Sequence, residues 1–575
     1  MDIQTITPLQ FAENEHNFSE LLKDESIRNK IPLLNVNKIE HLGDLKLVRF
    51  HGMIQDMHSP EYYLEKFEVV NEDTKESSWV IGKYRECIKV KESVEQINFH
   101  NNSNITSERQ AFVVISIPAK NSWVRSVEET HTIQPTKCAA ANTSSGKRIH
   151  EESMDAEETV GPSTSRIPGS KKICSETTQS VDNKPASSQQ NDIFPLSDTL
   201  INDQKQVFHI KLYNDQDQLK INDVCEFVGF LDIDPSTNAN MCIGDMETEE
   251  STCFIPKIHC VHFTKLKHNN PLVNSEIDQA SKDNFNVVRK DLLLVLTQLL
   301  LGDSLAAEYL LLHLLSEVYL RRDGLALGKL SLNISNIPTL PNVHYPSELY
   351  KFIEKLVTKS LYFPMTLENL NDLTFIPKKD YDLNYLSSGV LQLSDNTHFI
   401  LDEIKLTPGK LNESGLNNVK AISSAIKHQT VSYDFKFYPL EFHCDIPFLV
   451  LSEGKSMVYS DVHIALQPDE ISINTFKEIV EAADHFLKPD LLNEIRKYLT
   501  LARMTEYIIT EQVENFIQNE FVKMRQNRSE TTAEDLHSML ILARLIAISE
   551  GKSGLDEASW KKASDMEEER RNRIK

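Results

Sequence analysis

The sequence predicts a multidomain chain, part all-β and part α/β. An N-terminal β-barrel is interrupted by a segment without structure, and an α/β domain with a C-terminal helical lid follows. Three observations carry this. Two strand patterns, HLGDLKLVRFHGMIQDM (residues 41–57) and DVCEFVGFLDI (223–233), each follow an Asp and meet a Gly past the middle, with a long polar run between them. The stretch LLLGDSLAAEYLLLHLLSEVYLRRDG (299–324) is apolar almost all round after a tight turn, as a helix buried in a large domain is. From Thr475 onward the apolar spacing is mostly helical.

Residues 1–40 read as a helical lead-in, with Phe18, Leu21 and Leu22 spaced for one helical face. Residues 41–119 form the first part of the barrel: Leu45 and Leu47 alternate with Lys46, and further strands are expected at 62–70, 78–84 and 110–118. Across 120–191, Ser, Thr, Pro and charge replace large apolar residues. Such a segment cannot bury enough surface to offset its ordering entropy, so it is read as a disordered linker. Its basic pairs, Lys147-Arg148 and Lys171-Lys172, suit a two-part nuclear import signal and suit solvated linker lysines equally. Residues 192–273 complete the barrel through strands at 207–213 and 223–233. Size and strand number fit an OB-fold. Its aromatic and basic residues are not interleaved as a single-strand binder requires, which favours a structural barrel.

The α/β domain spans 274–485. Its organising stretch reads as the end of a strand at Leu299, a turn at Gly302-Asp303-Ser304, and a helix capped by Ser304 that runs to Arg321, Arg322 and a stop at Gly324. A glycine turn leading into a buried helix is the shape of a phosphate loop, which also needs a Lys for the phosphates and a Ser or Thr for magnesium. Glu308 falls where that Lys belongs and Tyr309 where the Ser or Thr belongs, so shape is expected without chemistry. Downstream, a strand at 329–334 and a helix at 345–357 precede a strand at 398–401 that ends in Asp402-Glu403. Adjacent acids at a strand end hold magnesium and activate water in nucleotide enzymes, and they also close ordinary acidic turns. A helix and hairpin (421–442), a buried strand with its exit turn (445–454) and the helical lid with a charged tail, MEEERRNRIK (486–575), complete the chain.

Composition narrows the function. The 575 residues give room for about three or four domains at ~150 residues each. No stretch of about 20 apolar residues occurs, so no membrane span is expected; 292–301 comes nearest and is broken by Thr297 and Gln298. The first residues lack a signal-peptide pattern, so the chain is expected inside the cell. Eight cysteines form no CxxC pair, which predicts free thiols and no metal centre. A net charge of −24 points to protein partners, basic ones among them, rather than nucleic acid.

The order turn–helix, acidic strand end, helix–hairpin, buried strand, helical lid resembles an AAA+ module, and more narrowly the minichromosome maintenance (MCM) helicase subunits. The matching segments are LLGDSLAAEYLLLHL, SGVLQLSDNTHFILDEIKL, AISSAIKHQTVSYDF and the end of the chain. The departures are equally specific. Besides Glu308 and Tyr309, the lid position that would carry an Arg is Glu534. Ser452-Glu453-Gly454 stands where an Asn would sense phosphate, no Arg-Phe-Asp finger follows, the barrel lacks zinc cysteines, and only Asp402-Glu403 survives. With FHGMIQDM, RRDGLALGKL and FIPKKDY, the sequence resembles the MCM complex-binding protein family from about residue 17 onward, outside the insert. That resemblance implies a degenerate AAA+-like domain behind an OB-like barrel, with no catalytic residue, cofactor or metal. It implies a nuclear, non-enzymatic partner of MCM subunits that takes the place of a ring member. Its implied work is removing MCM complexes from chromatin, sister-chromatid cohesion and handling free subunits. Chromatin contact would be indirect, without direct nucleic-acid binding. The competing readings are an active ATPase or helicase subunit and an OB-fold single-strand DNA-binding protein.

Overall fold

The computed structural model describes residues 3–71, 74–86, 95–132, 206–213, 219–233, 255–273, 284–382, 384–508, 511–527 and 532–574. The basic pairs Lys147-Arg148 and Lys171-Lys172 lie outside these residues, as does most of the expected linker.

The lead-in folds as α1 (Pro8–Glu13) and α2 (Glu15–Leu22). A capping box starts α1: the Thr7 hydroxyl accepts from Gln10 N and the Gln10 side chain accepts from Thr7 N. Phe11, Phe18 and Leu22 are buried with Tyr84 and Phe230, which roots the lead-in on the barrel. Leu21 was expected on the same face but stays exposed; Phe18 and Leu22, four residues apart, make the buried stripe and Leu21 points away from it.

Five strands close the barrel: β1 (Lys46–Met57), β5 (Ile105–Ser116), β6 (Val207–Leu212), β7 (Val224–Asp232) and β8 (Lys257–Lys265). Around the ring they run β1-β5-β6-β8-β7 and back to β1; every pair is antiparallel except β6–β8. Between β1 and β5, β2 (Glu61–Asn71), β3 (Ser77–Ile81) and β4 (Glu95–Ile97) extend the sheet outward. The mid-strand glycines have a steric reason. A Cβ on Gly229 would sit 2.4 Å from His259 O, where the register with β8 shifts, and one on Gly52 would sit 2.5 Å from side-chain carbons of Phe50 and Val114.

Ordered chain continues past residue 119, where the linker was expected to begin. Helix α3 (Ser122–Thr132) docks on the α/β domain. Asn121 Nδ2 and Trp123 Nε1 both donate to Val357 O at 2.8 Å, the Arg496 guanidinium lies 4.0 Å from the Trp123 ring, and Val124 is buried. These few contacts, two hydrogen bonds, one cation–π contact and one buried apolar side chain, are enough to order the segment despite the polar composition around it.

The α/β domain opens with α4 (Phe285–Leu299) and α5 (Ser304–Leu315). Hairpin β9 (Leu320–Arg322) and β10 (Leu325–Leu327) follows, then β11 (Leu332–Ser335), α6 (Tyr345–Leu356) and β12 (Ser360–Pro364). Next come β13 (Lys378–Asp380), β14 (Tyr385–Ser387), β15 (His398–Asp402), α7 (Glu413–His428), β16 (Thr430–Asp434), β17 (Pro439–His443), β18 (Phe448–Leu451) and β19 (Val462–Ala465). The central sheet has the order β12-β15-β18-β11-β19, with every pair parallel and its core residues buried on both faces. A side sheet, β14-β13-β16-β17, packs toward the barrel: Lys379 Nζ bonds Asp56 at 2.8 Å and Asn222 Nδ2 donates to the Tyr433 hydroxyl at 2.7 Å. Helix α8 (Phe476–Phe486) follows, then, across the stretch expected as the lid, α9 (Pro489–Arg503), α10 (Glu511–Asn527), α11 (Ala533–Ser549) and α12 (Glu557–Ile574).

The structure corrects three expectations here. Leu299 ends a helix and not a strand, so the Gly302 turn joins two helices. The second helix stops at Leu315, and Gly324 turns a hairpin at φ 78°. The N-cap is Asp303 and not Ser304, since its Oδ1 accepts from Ala306 N at 3.0 Å. The expected charged tail continues α12 as far as Ile574 and is fixed by ion pairs described below. Among the described residues no helix is long and apolar enough to cross a membrane. Cys225, Cys260 and Cys444 are buried free thiols, and burial pushes the first two up to about 12; Cys87, Cys138, Cys174, Cys242 and Cys253 lie outside the described residues.

Candidate functional site: the C-terminal edge of the parallel sheet

In an open parallel sheet, ligands sit beyond the carboxyl ends of the strands, where the strand order reverses. Here β11 leads away to the β12 edge, and β18 leads back past β11 to β19, so the reversal lies between β11 and β18. A phosphate loop joins such a strand to its helix. The unit that has this form is β11, the loop 336–344 and α6, not the Gly302 turn.

The 336–344 loop, NIPTLPNVH, has no glycine and no lysine, and Pro338 and Pro341 supply no N–H. Its first two N–H groups are already used: Asn336 N donates to Glu453 O at 3.0 Å and Ile337 N to Ser452 O at 3.4 Å. The Asn336 amide donates to Leu466 O at 2.8 Å, which ties the loop to the end of β19. Ile337 and Leu340 are buried beneath it.

Asp402 ends β15 next to this loop and is fully buried. Its Oδ2 lies 2.6 Å from His344 Nε2 and accepts from the Tyr362 hydroxyl at 2.5 Å, while its Oδ1 accepts from Ile404 N at 3.1 Å. His344 arrives at the end of the 336–344 loop and Tyr362 from β12. Burial, and next the bond to Asp402, push the Tyr362 phenol upward, so it stays a donor. Glu403 Oε1 accepts from Met457 N at 2.8 Å. The acid that would hold a magnesium ion in a nucleotide site is therefore occupied by the protein's own donors. Among the described residues no group of three or more His, Cys, Asp or Glu converges as a metal site.

The residues of the Gly302 turn do other work. Asp303 Oδ2 accepts from Gln467 N at 3.0 Å and from Arg573 Nη1 at 2.6 Å. Glu308 bonds Arg289 at 2.5 Å and Lys562 at 2.9 Å, and the Tyr309 hydroxyl donates to Glu567 at 3.3 Å. Gly302 and Ser304 flank Asp303 in the same turn. This segment receives α12: Arg570 Nη1 also reaches His463 O on β19 at 2.8 Å. Burial opposes ionisation of Glu567, but hydrogen bonds from Arg570 and Arg571 hold its carboxyl low. Glu534 sits exposed in the first turn of α11. Glu308 and Tyr309 thus answer to the C-terminal helix, while Asp402 and Glu403 answer to the loops at the sheet edge. His344, Tyr362, Arg573, Lys562 and Arg289 were not singled out in the sequence. Only their distant partners explain them, and no local pattern marks a partner 19 to 270 residues away.

Residues 18–574 match the family model described as mini-chromosome maintenance replisome factor. The chain belongs to the mini-chromosome maintenance complex-binding protein family. Relatives bearing that name are 37% identical in Drosophila melanogaster (96% of this chain, 94% of the relative), 35% in Gallus gallus (97% and 93%) and 34% in Homo sapiens (97% and 93%). The match spans barrel, α/β domain and lid, so the family is defined by the whole assembly and not by one domain.

Proposed function

We propose that this chain is a non-enzymatic binding partner of the MCM complex, working in the nucleus on the assembly of MCM subunits or their removal from chromatin, and through that on replication and sister-chromatid cohesion. Its α/β domain and lid form a degenerate AAA+-like module, and the OB-like barrel adds a second contact. The observation that carries the reading is the Asp402 cluster: the one surviving acidic pair is capped by His344 and Tyr362, beside a strand–loop–helix connection without glycine or lysine. The relatives' name supplies the partner. A module of this kind fits beside an MCM subunit yet completes no nucleotide joint, so it competes with a normal neighbour and loosens the ring without consuming ATP. Two linked contacts raise affinity beyond either alone.

The test is nucleotide binding by the full chain. A fluorescent ATP analogue with magnesium is expected to show no saturable binding at millimolar concentration, and phosphate release is expected to equal the buffer blank. Turnover that disappears in Asp402→Asn would overturn the non-enzymatic reading.

A further inference from the structure

The hairpin β16–β17 carries an exposed aromatic tip. Phe437 is 76% exposed and Tyr438 52%, with Tyr381 and Leu440 exposed beside them. The rings are ordered against one another: Tyr381 and Phe437 lie 5.4 Å apart, Phe435 and Tyr438 stack at 5.9 Å, and the Tyr381 hydroxyl donates to Phe435 O at 3.2 Å. The root is packed and hydrogen-bonded. Tyr433 is buried, packs 4.4 Å from the Phe442 ring and exchanges hydrogen bonds with Asn222 of the barrel. Lys436 at the turn takes a left-handed backbone, φ 60°, and its N–H is held by Asp434 Oδ1 at 2.8 Å. A non-glycine residue rarely adopts that conformation.

Aromatic side chains grouped on a rigid exposed element are the anchors of protein interfaces, because little ordering remains to be lost on binding. The rim fixes the kind of partner. Asp380, Asp382, Asp434 and Glu441 lie on the strands and turns of the side sheet that carries the tip, against Lys378 and Lys436, while Lys379 there is paired with Asp56. Those carboxylates repel a phosphate backbone, and base stacking without a basic groove does not hold a single strand. Strand addition is also disfavoured: β17 is an edge strand, but it opens with Pro439, which has no N–H to pair. Contact therefore runs through the side chains.

We propose that this hairpin is a docking element whose aromatic tip inserts into an apolar groove rimmed by lysine and arginine on the MCM complex. The partner's identity rests on the reading under Proposed function; the chemistry of its groove rests on the tip and its rim. The experiment compares full-length wild type with Phe437→Ser/Tyr438→Ser for equilibrium binding of purified MCM complex. A charge variant, Asp382→Lys/Glu441→Lys, is measured over a salt series. The expected result is about tenfold or greater weakening in the aromatic variant, with thermal unfolding unchanged because the altered side chains are exposed. The charge variant is expected to associate several-fold more slowly, with a flatter salt dependence. Wild-type affinity in the aromatic variant overturns the docking element and leaves the proposed function standing. Failure of wild type to bind MCM complex overturns both. A single-stranded oligonucleotide whose binding is lost in the aromatic variant, or a wild-type dimer that this variant turns into monomers, overturns the protein partner in favour of nucleic acid or a second copy.

Discussion

Arg573→Ala is expected to lower the unfolding free energy of the chain by about 3–5 kcal/mol, the cost of removing one partner of a buried ion pair. The Asp303 side chain is fully buried and Arg573 is nearly so, at 2.6 Å. Without the guanidinium, that carboxylate keeps only the N–H groups of Ala306 and Gln467. Asp303→Asn retains an N-cap acceptor, since Asn caps about as well as Asp. The double variant Arg573→Ala/Asp303→Asn is therefore expected to recover much of the loss, and chemical denaturation of the four proteins of the cycle measures it. Little or no loss in Arg573→Ala would show that α12 is held by its other contacts.

Glu226→Gln is expected to cost a similar amount, about 3–5 kcal/mol, in the barrel. This one carboxylate bonds Arg28 at 2.8 Å, Arg49 at 3.0 Å and His51 at 3.4 Å, with its side chain almost wholly buried. It pins the lead-in, through Arg28, to β1 and β7. The pH dependence has two sides. Burial opposes ionisation of Glu226, but the bonds to His51 and the charges of Arg49 and Arg28 hold its carboxyl far below its ordinary 4.5. A lowered acid stabilises the fold above its unfolded value and loses that contribution as pH falls. The gap between wild type and Glu226→Gln should therefore be full above pH 4.5 and close on acidification. His51 works in the opposite direction: burial resists its charge, but Glu128 and Glu226 raise it above its ordinary 6.5. Its contribution is complete below 6.5 and fades as pH rises further, so the gap narrows again in mild alkali. Unfolding midpoints of both proteins across pH 3 to 9 check this.

The barrel was legible in the sequence because its strands are short apolar runs with mid-strand glycines: Leu47 packs under the lead-in, Phe50 packs inside the barrel, and the glycines report a tightly closed sheet. Asp402 was legible as an acid ending a short apolar run. The Gly302 turn was misread because 292–315 is apolar on every side, and such a run does not distinguish helix from strand. The loop 336–344 drew no attention because it lacks the glycines and lysine that would have marked it. Its position becomes informative only once the strand order is known, and strand order is a long-range property. Trp123 and Val124 sat in a window whose average composition was polar, and two good contacts outweighed that average. The work of the C-terminal charges was not legible because two of their partners, Asp303 and Glu308, lie more than 250 residues earlier.

The most direct measurement is capture of purified MCM complex by the full-length chain in nucleotide-free buffer, with wild type and Asp402→Asn in parallel. The account predicts that both retain MCM subunits, with equal affinity and no need for ATP bound to this chain. No retention by wild type, or retention that requires ATP on this chain and disappears in Asp402→Asn, would contradict it.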